Sequence, residues 1–352
     1  MFTASASTLV IEIVAGRILA PDIGVSIYTW TSIIGVVLAG ISIGAYLGGM
    51  AADRFPQQRT LGLILLAGGL SSLSVLPLVG FASNVFAGLP LQARIVFLTA
   101  SLFFLPSLIL GMVTPVVIRL RLRDLASTGN VVGRIFAVSN AGAIFGTFIT
   151  GFVLIQRVGS RLTLIIVAVV LVAMALAFGD LWHARMTSVA PLGLFVVLVG
   201  FTYGNGDLES ECLRESSYFC IQVSDAIEDG RAVKVLELDG LVHSYVAPDD
   251  PSVLVNDYQE VLADLAAVTG DRDGGFRALF LGGGGYTMPK YLEEAYPQSV
   301  LEVVEIDPEV TQIALDYFGL RSDTRISIYH EDARMAVPRL APGQYDLIIG
   351  DT

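Results

Sequence analysis

The chain has 352 residues, of which 54% are hydrophobic and 15% charged, and its net charge is −12. Ordinary soluble domains carry about 25% charged residues, so this composition excludes a single soluble enzyme. Residues 1–205 hold eleven Arg, no Lys and five acids, whereas 206–352 hold ten Lys or Arg against 28 acids; net charges of +6 and −18 meet near residue 205, and the acidic half excludes nucleic acid as a partner.

In chain order, region 1–205 reads as a multi-helix transmembrane bundle. A bilayer core requires about 20 mostly apolar residues per helix, because no backbone polar group can stay unpaired in hydrocarbon. Seven stretches meet that need, at 3–20, 26–50, 61–82, 95–118, 131–155, 162–178 and 188–203. The first lacks the basic leader and small-residue cleavage site of a signal peptide, so it reads as a span that stays. Gly40, Gly44 and Gly48 in the second span, and Gly142 and Gly146 in the fifth, stack on one helix face and predict close helix packing. Glu12 and Arg17 lie in the first span, about 140° apart around the axis, and do not pair directly. Glu12 therefore calls for a partner on another helix, or a proton.

The loops give orientation. Arg54, Arg59, Arg119, Arg121, Arg123, Arg134 and Arg185 fall on alternate loops, and the others hold only Arg94, Arg157 and Arg161. Basic loops stay in the cytoplasm, which places the N-terminus inside and, after seven spans, the C-terminal region outside. A multi-pass cell-membrane protein with the lipid bilayer as partner is expected. Cys212 and Cys220, the only cysteines, follow the last span and suit a disulfide in an oxidising compartment, with two buried free thiols as the alternative. Two Cys and three scattered His supply no tetrahedral ligand set, so no metal is expected.

Region 206–275 reads as a small β-rich part, with strands at 218–223 and 232–238, a turn at Asp239-Gly240 and a connecting helix at 252–269. From 276 onward strands (277–281, 300–306, 326–329, 345–349) alternate with helices (286–295, 308–318, 333–340). That alternation predicts an α/β, Rossmann-like domain with a parallel, doubly wound sheet over 276–352. Ligands of such sheets bind at the carboxyl ends of the strands. Gly282, Gly283, Gly284 and Gly285 follow the first strand and let a ligand approach the backbone. Glu305 and Asp307 end the second, where a carboxylate can accept ribose hydroxyls, and Asp332 and Asp351 end the third and fourth. Nothing here neutralises a diphosphate, so a cationic sulfonium nucleoside suits this anionic rim better than NAD.

The segments Leu279-Phe-Leu-Gly-Gly-Gly284, Val303-Val-Glu-Ile-Asp307, Glu331-Asp-Ala333 and Tyr345-Asp-Leu-Ile-Ile-Gly-Asp351 resemble the spermidine synthases, or polyamine aminopropyltransferases, within the class I adenosylmethionine-dependent fold. Leu238-Asp-Gly240 followed by Tyr258-Gln-Glu260 looks like that family's small N-terminal sheet and the helix after it, so the likeness covers about 215–352. The apolar half resembles the multispan region of membrane proteins fused to such a domain. The resemblance implies that Gly282, Gly283 and Gly284 lie against decarboxylated S-adenosylmethionine (or S-adenosylmethionine). It implies that Glu305, in one motif with Asp307, holds the ribose, and that Asp332 and Ala333 stand near the adenine. Tyr258, Gln259 and Asp351 would meet a polyamine such as putrescine, and Asp351 would help remove a proton from the attacking amine. An oligomer formed through the C-terminal domain is a further expectation.

The pattern is departed from in places. The family's glycine motif continues with Asp where this chain has Gly285, and His243 and Gln259 stand where the family has Gln and often His. The second carboxylate of the catalytic loop and the last strands would lie beyond Thr352, so the α/β domain reads as C-terminally incomplete. Aminopropyl transfer to a polyamine by a membrane-bound transferase is the function expected. An S-adenosylmethionine-dependent methyltransferase and a non-catalytic ligand-binding domain stay open. Gly49-Met-Ala-Ala-Asp53-Arg54 with Arg59 also partly resembles a loop of major-facilitator transporters, which would imply a transporter with a polyamine-sensing domain; a plain basic loop explains the same residues.

Overall fold

The computed structural model describes residues 1–352 except 123, 125, 126, 181–184, 207–209, 229, 270–274, 351 and 352, with the backbone alone at 185–192. The chain forms two units, Met1–Glu211 and Cys212–Thr352, which divide just beyond the charge boundary.

The first unit is helical: α1 (Phe2–Ile23), α2 (Ile27–Arg54), α3 (Gln58–Leu73), α4 (Val75–Phe86), α5 (Leu91–Gly111), α6 (Val113–Arg121), α7 (Thr128–Ile149), α8 (Ile155–Val158), α9 (Ser160–Phe178) and α10 (Arg185–Gly204). Among the described residues, five stretches are long and apolar enough to cross a membrane, namely α1, α2, α5 with α6, α7 through α8, and α9; α3 with α4 makes a sixth if the bent pair is one span. The described apolar part of α10, Gly193–Gly204, is shorter than a span, so the seventh expected stretch falls partly on residues whose side chains are not described.

Where one span was expected over 61–82, the helix axis bends by 50° between α3 and α4. Pro77 has no N–H to offer the Leu73 carbonyl, and the Ser71 and Ser72 hydroxyls donate to Gly68 O at 3.0 and 2.7 Å, so the backbone ladder breaks there. The stacked glycines lie where helices touch through their backbones. A Cβ at Gly40 would stand 2.8 Å from Ser107 Cβ, and one at Gly48 2.6 Å from Met112 Cα, so α2 lies directly on α5 and the break before α6. A Cβ at Gly146 would meet Ala6 O at 2.5 Å, and one at Gly142 would overlap Phe2 O, which presses α7 onto α1. Glu12 is half-buried on α1 and, among the described residues, makes no hydrogen bond or ion pair.

The second unit opens with an antiparallel sheet, β1 (Arg214–Glu215), β2 (Cys220–Glu228), β3 (Arg231–Leu238) and β4 (Leu241–Val246), in that spatial order. Asp239 and Gly240, with φ of 52° and 77°, make the two-residue turn between β3 and β4 that the strand twist favours. A disulfide joins Cys212 to Cys220, with the Cα atoms 5.2 Å apart. Helix α11 (Asp257–Thr269) starts later than the expected 252. Asp250 Oδ1 accepts from Ser252 N and Oγ at 3.0 and 2.6 Å, and Gln259 Oε1 accepts from Asn256 N at 3.3 Å, so these side chains close turns instead.

Then β5 (Arg277–Leu281), α12 (Thr287–Ala295), β6 (Val300–Glu305), α13 (Pro308–Tyr317), β7 (Ser327–His330), α14 (Ala333–Ala336) and β8 (Leu347–Gly350) follow. The four strands are parallel in the order β7-β6-β5-β8, so the chain reverses its direction of winding at β5, between β6 and β8. Ala278, Phe280, Leu301 and Val303 from the sheet pack with Leu292 of α12 and Val310 and Ile313 of α13. That apolar core holds the strand ends in register, and with them the residues of the site.

Candidate functional site

The site grows from the end of β5. Leu281 leads into Gly282, whose φ of 101° lies in the region open to glycine, and Gly284 follows at 48°. Tyr286 also takes a left-handed conformation, with φ 56°, and its ring is fully buried behind the turn. A Cβ on Gly283 would stand 2.5 Å from the Tyr286 ring, so glycine is required there for packing. Tyr286 Oη and Thr311 Oγ1 are hydrogen-bonded at 2.7 Å, and Thr311 Oγ1 and His330 Nε2 at 3.0 Å. Burial pushes the Tyr286 hydroxyl above the ordinary tyrosine range.

Glu305 stands at the end of β6 and is 6% exposed. Its Oε2 accepts the N–H of Gly283 at 2.7 Å and its Oε1 that of Asp307 at 2.8 Å. Each oxygen keeps a second lone pair, so the carboxylate is held by the backbone and can still accept hydroxyls. Asp307 lies beneath it, 1% exposed. Its Oδ1 accepts Glu309 N at 3.0 Å as the cap of α13, and its other oxygen is hydrogen-bonded by Ser216 Oγ. Burial raises the Asp307 pKa against the pull of those two hydrogen bonds.

Gly282, Gly284, Glu305, Asp332 and Ala333 line one cavity of about 450 Å³, closed on its other side by Leu238 and His243 of the antiparallel sheet and by Phe219 just before β2. That volume is of the order that holds a small organic ligand. Asp332 caps α14 by accepting Arg334 N at 2.8 Å and pairs with the Arg334 guanidinium at 2.6 Å, which holds its carboxyl below the usual range. A wider opening, about 820 Å³, lies among Arg231, Asp249, Asp250, Glu260, Asp264 and Tyr291, but neither the glycine turn nor Glu305 lines it. Chemistry, not size, therefore selects the smaller cavity.

The expected site residues are thus distributed unevenly. Gly282, Gly284, Glu305, Asp332 and Ala333 come together, Gly283 supports Glu305 from behind, and Asp307 serves the base of the site without lining it. Gln259 is 2% exposed and lines a void of about 10 Å³ with Ser244, Gly283, Gly285 and Thr287, whereas the neighbouring Tyr258 is exposed and lines neither space. Asp351 lies outside the described residues. Two contributors had no sequence signal. Ser244 Oγ accepts Gly285 N at 3.1 Å, and a Cβ on Gly285 would overlap Val246 Cγ2.

A parallel sheet wound outward from β5, with a glycine turn and an acid on adjacent strand ends, is a Rossmann-like arrangement. Within that class the chain is spermidine synthase-like. It is 27% identical to polyamine aminopropyltransferase 2 of Ralstonia nicotianae, in an alignment that takes in 100% of this chain, helical unit included, and 70% of that protein. A 77-residue segment is 40% identical to the polyamine aminopropyltransferase of Vibrio vulnificus, covering 21% of this chain and 26% of that one. Another 77-residue alignment is 31% identical to the bovine eEF1A lysine and N-terminal methyltransferase, spanning 11% of that protein. A solved structure of a probable spermidine synthase from Corynebacterium glutamicum aligns at 28% identity with a TM-score of 0.36, over 40% of this chain and 50% of that one. No family profile matches the chain.

Proposed function

We propose that this is a membrane-bound aminopropyltransferase, which takes decarboxylated S-adenosylmethionine in the Glu305 cavity and passes its aminopropyl group to putrescine or a related amine. The observation that carries the reading is the Glu305 carboxylate, fixed by Gly283 N and Asp307 N at 2.7 and 2.8 Å while still facing a cavity rimmed by the glycine turn. A ribose diol donates two hydroxyls, and a carboxylate preset by backbone N–H groups receives them without reorganising. The mostly apolar walls suit a purine, and the carboxylates at the strand ends suit a sulfonium cation. Transfer would form a bond from the amine nitrogen to the carbon beside sulfur. The C–S electron pair would leave on sulfur as a neutral thioether nucleoside, and the nitrogen would lose a proton, for which Asp351 is the proposed acceptor.

The Cys212–Cys220 disulfide favours a second reading. A disulfide suits an oxidising compartment, and the loop arginines point the same way if α10 completes a seventh span, whereas adenosyl donors are made in the cytoplasm. On that reading the domain binds a ligand outside the cell, without transfer. Full-length protein incubated with decarboxylated S-adenosylmethionine and putrescine, and separately with S-adenosylmethionine, tests both. Spermidine from the first mixture supports the transferase; methylated product from the second supports a methyltransferase. Nucleoside binding without either product, together with a C-terminal tag accessible from outside, supports the second reading.

A further inference from the structure

The helical unit has a cavity of about 590 Å³ that the transferase reading leaves without a role. It lies where α1 and α3 begin and α6 and α9 end, at Thr3, Gln58, Arg121 and Phe178. These four termini share one end of the bundle, the end that carries Arg54, Arg59 and Arg119. The walls between Gln58 and Leu65 and between Val113 and Arg121 run about two helical turns, so the space reaches roughly 10 Å inward. Leu61, Leu65, Val117, Leu120, Leu171 and Met174 make its sides apolar.

The mouth is basic. Among the described residues no acid lines the cavity, and Arg121 makes no hydrogen bond or ion pair. Its neighbours at the same end are engaged: Arg119 lies 3.8 Å from Asp53, and Arg54 lies over the Phe55 ring at 5.6 Å. A fixed positive charge left open above a greasy shaft matches a phosphate on an acyl chain, and inner leaflets are rich in anionic lipids.

We infer that this cavity binds one anionic phospholipid of the cytoplasmic leaflet, with Arg121 on the phosphate, Gln58 beside the head group and the upper acyl chain between α3, α6 and α9. The inference rests on the membrane reading of the helical unit, though not on the transferase reading.

The test uses the full chain purified in mild detergent and challenged with phosphatidylglycerol, phosphatidylcholine or glycerol phosphate, with retained ligand read by native mass spectrometry. Retention of phosphatidylglycerol over phosphatidylcholine, a loss of about tenfold in Arg121→Gln and recovery in Arg121→Lys are expected, with Arg119→Gln unchanged. Equal retention of the two lipids, an unaffected R121Q, or loss of lipid in R121K equal to that in a correctly folded R121Q overturns it. If R121Q does not fold, R121K retaining phosphatidylglycerol selectively supports the site, and R121K without selectivity overturns it. Glycerol phosphate competing as well as the lipid would reveal a site for free anions and also overturns it. A chain that washes off membranes at alkaline pH sinks the membrane reading too, whereas an integral chain without lipid selectivity sinks only this inference.

Discussion

Ser244 Oγ accepts the N–H of Gly285 at 3.1 Å, which ties the last strand of the antiparallel sheet to the glycine turn of the parallel one. Both groups are shielded, with Ser244 5% exposed, so Ser244→Ala leaves a peptide N–H without a partner. A loss of about 1–3 kcal/mol in stability is expected, with weaker nucleoside binding. Denaturant titration and calorimetry on the purified variant check it, and unchanged values for both would show that the bond contributes nothing.

Glu305→Gln keeps the shape of the side chain but turns one acceptor into a donor facing Gly283 N or Asp307 N. Affinity for an adenosyl thioether should fall at least about tenfold, since a charge-assisted hydrogen bond is lost at the ribose. Isothermal titration measures it. Equal affinity for wild type and variant would mean that the sugar lies elsewhere.

Introducing the family's carboxylate through Gly285→Asp should destabilise the domain. The new Cβ overlaps Val246, which is fully buried, so a cost of about 1–3 kcal/mol is expected. Adding Val246→Ala to G285D should recover part of that loss in thermal melts. A fully stable single variant would contradict the packing described.

Lys290 donates to Phe318 O at the end of α13, and burial pushes its pKa down to about 8 from 10.5. Between those values the unfolded chain binds one proton more than the folded one, so stability rises with pH from about 8 to about 10.5. The charged form costs about 3 kcal/mol at neutral pH. Lys290→Met should flatten that rise when unfolding is followed against pH, and parallel profiles for both proteins would refute the shift.

Cys212 and Cys220 close a loop with a sequence separation of 8. Replacing both by Ser should cost the second unit about 2–3 kcal/mol through the freed unfolded chain. In whole cells, an impermeant reductant followed by an impermeant maleimide should label the wild type if this unit faces outward. Labelling only after the cells are broken open would place it inside.

The β5–β8 sheet was legible because glycine and acid mark each strand end, as at Gly282 and Glu305, and because buried parallel strands read as short apolar runs. Contacts across long stretches of sequence were not. Ser244 meets Gly285, and Tyr286 fills the space behind Gly283, through pairings that no local pattern records. In the helical unit hydropathy located the apolar stretches but ran through Ser74, since a bend at a serine cluster and Pro77 leaves mean hydropathy high. Asp307 shares the motif of Glu305, and no local pattern separates the side chain that caps a helix from the one that faces the cavity.

The glycines of α2 and α7 bring peptide groups into direct touch with α5 and α1. Surfaces that interlock without side chains have no rotamers with which to absorb sliding. Each of these two couples is therefore expected to travel as one body, and any breathing of the helical unit would have to open along the seams between the couples, where longer side chains can re-pack.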